Sequence, residues 1–450
     1  IIDYEPYTLE KKAAYMERHL TEWGQRRGSF VHKLFYNSKE KEWMREVSDN
    51  DVGYSTQYWS AQAFKYAATG DPVAHDRAVK AFKTMKCTEE MTGIDGFMAR
   101  SLWYKDDVGI KAQHGSGGLP AEWHPSKTEP DWEIKADTSS DEVAAQFYYA
   151  SVFHDLVAND EEKKLVADHI GRIASYIVRN GFRLLDYDGQ PTRWGRWDQE
   201  YYASSFEGHE ERPLSSLEIL GFMRCAWVLT GDAAFEKAYG DLVAKGYPEA
   251  TLGFQLTGLL QPPEFDDELA LFVFYYLGRY ETDPHLSAIY RRSLERWWES
   301  ERIERNPWYN FVYGMVTGSD CDVAGAVAHL REWPLDLRKY SFNMKQRTDL
   351  HAPPGYVSYG RGKKVISPRE RGGMKWEYNP YATEGGGGGM QVEDPCGWLC
   401  AYWLGRYAGF ILPPDTTDPD LLTVPDRGLN LGAEPYTGPE LPCECGIRGY

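Results

Sequence analysis

KADTSSDEVAAQFYYASVFHDLV, Lys135–Val157, decides how this chain is read. Asp137, Thr138, Ser139 and Ser140 are N-cap formers placed just ahead of an apolar-periodic run. Asp141 and Glu142 stand in what becomes the first turn, where their charge suits the positive end of the helix dipole. The run breaks at Asn159-Asp160, and a second helix continues through about Val178. This unit of helix, polar corner and helix recurs. Residues 55–69 end in Ala68-Thr-Gly-Asp-Pro before Val73–Lys86. Leu217–Leu229 ends in Thr230-Gly-Asp before Ala234–Ala244, and Leu269–Tyr280 ends in Thr282-Asp-Pro before Leu286–Glu301. Gly or Asn stops the first helix and Asp caps the next.

Residues 8–27 read as a further amphipathic helix, and Gly397-Trp-Leu-Cys-Ala-Tyr-Trp-Leu-Gly-Arg-Tyr reads as a closing core helix. Hairpins at irregular intervals predict an all-α fold, an (α/α) toroid or barrel of six or seven helical hairpins with long rim loops, because a solenoid would keep a fixed period. The stretches 92–135, 180–213, 302–322 and 351–395 are the insertions between hairpins, and such insertions gather at one rim to form a cleft. Residues 1–412 form the expected catalytic domain, and 413–450, rich in Pro and Asp, form a tail that wraps its outside.

With 16 Trp and 31 Tyr, the chain has polar-tipped rings enough to line a large cleft as well as a core. A formal net charge of -18 argues against a nucleic-acid partner, since such binding leans on summed Lys and Arg charge. No apolar run is long enough for a membrane-spanning segment. The opening IIDYEPYTLEKK does not have the form of a signal peptide, and its lack of Met points to a processed or trimmed chain. Seven cysteines cannot all pair within one chain, and Cys443 and Cys445 lack zinc spacing. His114 and His124 bracket a Gly-rich turn without a third ligand in reach, so neither metal nor cofactor is expected.

The richest chemistry lies in TRWGRWDQEYY, Thr192–Tyr202. Arg193 and Arg196 alternate with Trp194 and Trp197 and run into Asp198, Glu200, Tyr201 and Tyr202, a pattern of flat aromatic faces flanked by polar groups that suits a sugar ring. A surface turn held by cation–π contacts would read alike. His209 stands among Glu207, Glu210 and Glu211, which would raise its pKa if close, and a solvated acidic turn is the plainer reading. Asn306, Tyr309, Asn310 and Tyr313 share one helical face and need polar partners, either a sugar or neighbouring helices. Arg100 and His124 are further contact candidates. The basic loop with Arg361, Lys363, Lys364, Arg369, Arg371 and Lys375, followed by Trp376, Asn379 and Tyr381, suits an acidic ligand on an otherwise acidic chain.

The motifs TGDP, KADTSSDE, TRWGRW, NPWYNF, KWEYNPY, EGGGGG and YWLGRYAGFI, over residues 55–412, resemble those of bacterial secreted toroid proteins that degrade polysaccharides, with the family 38 polysaccharide lyases, which cleave alginate or glucuronan, as the nearest comparison. The resemblance implies a secreted or periplasmic lyase cleaving a uronic-acid-containing polysaccharide, or an oligosaccharide of it, by β-elimination. It implies a His or Tyr base, a Tyr acid, a nearby Arg, and an amide or acid that neutralises the carboxylate. The helix after TSSDE carries Gln146 and Phe147 where the resemblance implies a His, which shifts the proton work toward Tyr201 or Tyr202. A phenol becomes a usable base only when cations lower its pKa, and Arg193 and Arg196 are close enough in sequence to do so. Two alternatives stay open. An inverting glycoside hydrolase would use paired carboxylates roughly 6.5–9.5 Å apart, drawn from Asp137, Asp141, Glu142, Asp198 and Glu200. A non-catalytic glycan-binding protein would use the same aromatic cleft.

Overall fold

A computed structural model describes residues 7–31, 33–107, 109–111, 122–253, 264–350, 364–371, 379–424 and 440–441. The fold is mostly α. In chain order the helices are α1 (Leu9–His19), α2 (Asp51–Thr69), α3 (Pro72–Glu90), α4 (Ser140–Leu156), α5 (Asp160–Arg179), α6 (Gln199–Ser204), α7 (Phe206–Thr230) and α8 (Ala233–Ala244). They continue with α9 (Tyr247–Thr251), α10 (Glu264–Tyr280), α11 (Pro284–Glu301), α12 (Pro307–Thr317), α13 (Val323–Glu332), α14 (Cys396–Tyr407) and α15 (Pro419–Leu422).

The corners form for the reasons their sequences give. Gly70 ends α2 in the left-handed region at φ +73°, Asp71 takes the N–H of Val73 at 2.9 Å, and Pro72 occupies the first turn of α3, where its missing N–H costs nothing. Asn159 and Glu162 make a capping box at the start of α5. Asp232 and Asp283 cap α8 and α11 as Asp71 caps α3, each side chain accepting an N–H of the first turn. A fifth corner, Gly318 to Asp322, joins α12 to α13, so most of 302–322 is helix rather than an inserted loop.

Helices that enter the corners differ from those that leave them. Every residue of α4 from Glu142 to Phe153 is buried, as expected of a helix enclosed on all sides, whereas α5 buries the stripe Val166, His169, Ile170, Ile173, Ala174 and Ile177. The enclosed helices touch in sequence: α2 meets α4, α4 meets α7, α7 meets α10, α10 meets α12, α12 meets α14, and α14 returns to α2. Helix α4 also meets α10 directly. Tyr148 stacks on Phe272 at 4.5 Å and meets Tyr275 and Trp308 edge-on at 5.4 and 5.7 Å, closing the centre with aromatic rings.

The long connections precede α2, α4, α7, α10 and α14, and that end of the helices is called the rim below. Asn50, the N-cap of α2, donates to Asp141 in the first turn of α4, and Gly53 N–H donates to Glu142 at 3.0 Å, so these two helices start side by side. Short strands knit the connections: β1 (Gln25–Arg26), β2 (Phe30–Val31), β3 (Leu34–Asn37), β4 (Glu42–Val47), β5 (Ser101–Tyr104), β6 (Ile110–Lys111), β7 (Trp123–Pro125), β8 (Trp132–Lys135), β9 (Arg183–Leu185), β10 (Pro191–Arg196), β11 (Phe342–Asn343), β12 (Glu384–Gly385) and β13 (Gln391–Val392). One sheet runs β13-β3-β4-β6, drawing chain from three separate connections into a single layer, and a second runs β5-β8-β7.

Two further expectations are corrected. The first helix stops at His19, passes through a π-helical turn over Leu20–Gly24 and becomes β1, so 8–27 is not one helix. The connection 20–50 is a rim element in its own right. The stretch 180–213 is not a loop: it holds the β9–β10 hairpin, α6, and the start of α7, which begins at Phe206 and carries Pro213 inside it. Beyond Pro413, α15 docks on α1, with Thr8 N–H donating to the Leu421 carbonyl at 3.3 Å. No helix among the described residues is long and apolar enough to cross a membrane.

Candidate active site at the rim

Asp137 stands at the junction of two rim connections. It adopts φ +53°, its carbonyl accepts from Arg100 at 2.9 Å, and its carboxylate accepts the Arg193 N–H at 3.0 Å. Arg100 also donates to the Asn50 side chain at 2.8 Å and pairs with Asp49 at 3.0 Å. His124 stacks on Tyr187 at 4.7 Å beside Asp186, whose carboxylate accepts the Asp137 N–H at 3.1 Å. Burial raises the pKa of Asp186, and the neighbouring charge of Asp137 adds to it. Burial also raises Asp141, and it pushes Glu142 well up with help from Asp141.

From Arg193 the chain runs along β10 into α6 and α7. Arg193 is exposed, lies over the Trp194 ring at 4.4 Å and reaches Glu207 only at 3.9 Å. Arg196 lies over the Tyr201 ring at 4.3 Å. Tyr201 donates a long hydrogen bond of 3.5 Å to Glu211, which shares a helix face with Glu207 one turn earlier. Burial and then the Glu207 charge push Glu211 up to about 7, against the pull of the Tyr201 hydroxyl and Arg193.

The arginines do not lower either tyrosine. Burial first, then the Glu211 and Glu207 carboxylates, push Tyr201 up to about 12, with Arg196 pulling weakly the other way. Tyr202 is buried against Tyr247, with ring centroids 5.9 Å apart, and its pKa rises well above the ordinary phenol value. Trp197 is fully buried and donates to Glu218 at 2.8 Å, so no sugar stacks on it here. Asp198 caps α6 and is held by Arg183 at 2.8 and 2.7 Å. Burial works against its charge, but the paired guanidinium wins and its pKa falls. Glu200 also pairs with Arg183, at 2.8 Å, and His209 is exposed on α7.

Several other candidates have partners inside the protein. Gln146 lies in the core of α4, its amide oxygen accepting from His169 at 2.8 Å and its amide nitrogen donating to Thr88 at 3.0 Å. Asn306 is the N-cap of α12, and Asn310 accepts from Trp298 at 3.1 Å. Tyr309 is buried and Tyr313 stacks on Trp298 at 4.0 Å, so the polar face of this helix turns to neighbouring helices. Arg371 donates to the Ile366 carbonyl at 2.8 Å, and burial lowers its pKa. Arg369 and Asn379 are exposed. His114, Arg361, Lys363, Lys375 and Trp376 lie outside the described residues.

The structure therefore brings Arg100, His124, Asp137, Asp141, Arg193, Trp194, Arg196 and Tyr201 to adjoining parts of the rim, and adds Asp186 and Glu211. Glu211 gives no signal in sequence beyond being one of the three acids around His209. What distinguishes it is packing against Tyr201, ten residues away. No family model matches the chain, and no curated protein matches it in sequence.

Proposed function

We propose that the protein is a polysaccharide lyase acting on a uronic-acid-containing polymer, related to the family 38 polysaccharide lyases, and that its cyclic helix order is an (α/α) toroid with the cleft at the rim. In this reading residues 1–412 are one catalytic domain and 413–450 wrap it. The supporting observation is the Tyr201–Glu211 pair, with Glu211 pushed up to about 7 beside an exposed arginine, Arg193.

β-Elimination needs a base whose proton affinity sits near the working pH and a cation to neutralise the uronate carboxylate. Glu211 meets the first need and Arg193 the second. The Glu211 carboxylate takes the proton at C5, the electron pair left on carbon forms the C4–C5 double bond, and the bond from C4 to the glycosidic oxygen breaks. Protonated Glu211 then returns its proton to that oxygen. Tyr201, buried behind Glu211 and held as a phenol, orients the carboxylate through its hydroxyl.

A secreted or periplasmic location accords with the disulfide at Cys87, since such bonds persist in oxidising compartments. Glu211 near 7 also suits the acid of an inverting glycoside hydrolase, the second reading. Incubation with alginate and glucuronan separates the two. Ultraviolet absorbance from an unsaturated sugar is expected, and new reducing ends without absorbance would select hydrolysis.

A further inference from the structure

Phe206 is 73% exposed at the first position of α7. An aromatic side chain there gains almost nothing from packing, and an acidic residue would serve the helix start better. Its position is nonetheless fixed closely. The Ser205 hydroxyl accepts the Gly208 N–H at 2.8 Å, and Gly208 lies so close to α6 that an added Cβ would clash with the Tyr201 carbonyl oxygen. The turn that holds Phe206 is thus clamped to the residue whose hydroxyl meets Glu211. The next residue, Glu207, reaches Arg193, and the Arg193 guanidinium covers half-buried Trp194. Exposed ring, exposed guanidinium and proton-carrying carboxylate therefore lie within one turn and a half of α7 and the edge of β10.

We infer that Phe206 is a stacking platform for the sugar ring next to the one held at Glu211. The inference rests on the lyase reading and deepens it. A pyranose offers an apolar face of axial C–H groups to an aromatic ring, and a uronate adds a carboxylate at the ring edge. Phe206 with Arg193 matches that pair of features. The ligand is then a chain of at least two consecutive uronate units rather than a single sugar, with binding energy collected at Phe206 and spent beside Glu211.

Native electrophoresis through gels containing alginate, glucuronan or polygalacturonate, beside a polymer-free gel, tests this on the whole protein. Wild type should be retarded by at least one of the three polymers. Phe206→Ala should weaken that retardation by about tenfold in dissociation constant, while Phe206→Trp keeps it. Because the side chain is exposed, Phe206→Ala should melt with wild type, which separates a binding role from a structural one. Retardation of Phe206→Ala equal to wild type, or of wild type by none of the polymers, would overturn the platform. If retardation follows Phe206 as expected while no polymer yields ultraviolet-absorbing product, the lyase reading falls and the platform stands.

Discussion

The two ends of the helices are built by different rules. At the corner end the deciding hydrogen bonds span two or three residues: Asp71 to Val73, Asn159 to Glu162, Asp232 to Ala234 and Asp283 to Leu286. At the rim they span far more, with Arg193 meeting Asp137 across 56 positions, Asn50 meeting Asp141 across 91 and Gln57 meeting Glu268 across 211. A corner is specified by its own few residues. The rim is specified only once the helices have packed, so its chemistry depends on the fold as a whole.

Single substitutions should separate the two ends. Tyr148→Ala removes the ring that closes the centre against Phe272, Tyr275 and Trp308, and should cost about 3–5 kcal/mol in chemical denaturation, loosening corners and rim together. Asn159→Ala deletes one corner cap and should cost about 1 kcal/mol, leaving rim activity intact. Arg193→Ala should change the unfolding free energy by less than about 0.5 kcal/mol, since the side chain is exposed, yet raise KM for a charged polymer and weaken its salt dependence. A large stability loss in that variant would mean the rim arginine is structural.

Acidity gives a further test of the same contrast. The folded Glu211 binds its proton more tightly than the unfolded chain does, so its contribution to stability is present below the ordinary glutamate pKa and is lost as pH rises through about 7. Wild type should therefore lose stability relative to Glu211→Gln between about pH 4.5 and 7. Parallel stability curves for the two would place Glu211 in an ordinary solvated setting.

The corners were legible because Gly, Asp, Asn and Pro act on their immediate neighbours. The α12–α13 corner is hard to read because Asp322 caps four residues after Gly318, with Ser319, Asp320 and Cys321 between. The start of α7 was hidden by Pro213, which reads as a helix boundary but is tolerated within it. Strands of two to four residues, such as β6 and β13, show no alternation that a sequence could reveal. The aromatic loop does not turn every ring outward. Trp197 and Tyr202 face inward because α9 packs on them, with the Tyr247 hydroxyl donating to the Trp197 carbonyl at 2.9 Å. Likewise the polar stripe of α12 finds its partners in Trp298 and in its own capping turn.

Glu211 is the proton carrier of the proposed elimination. Initial rates of ultraviolet absorbance on alginate and glucuronan, for wild type and Glu211→Gln at matched melting temperature, test it most directly. Wild type should generate absorbance on at least one polymer, with kcat/KM rising through about pH 7 as Glu211 ionises, and Glu211→Gln should lose about 10²–10⁴-fold. Glu211→Gln turning over at the wild-type rate, with the same pH profile, would contradict it.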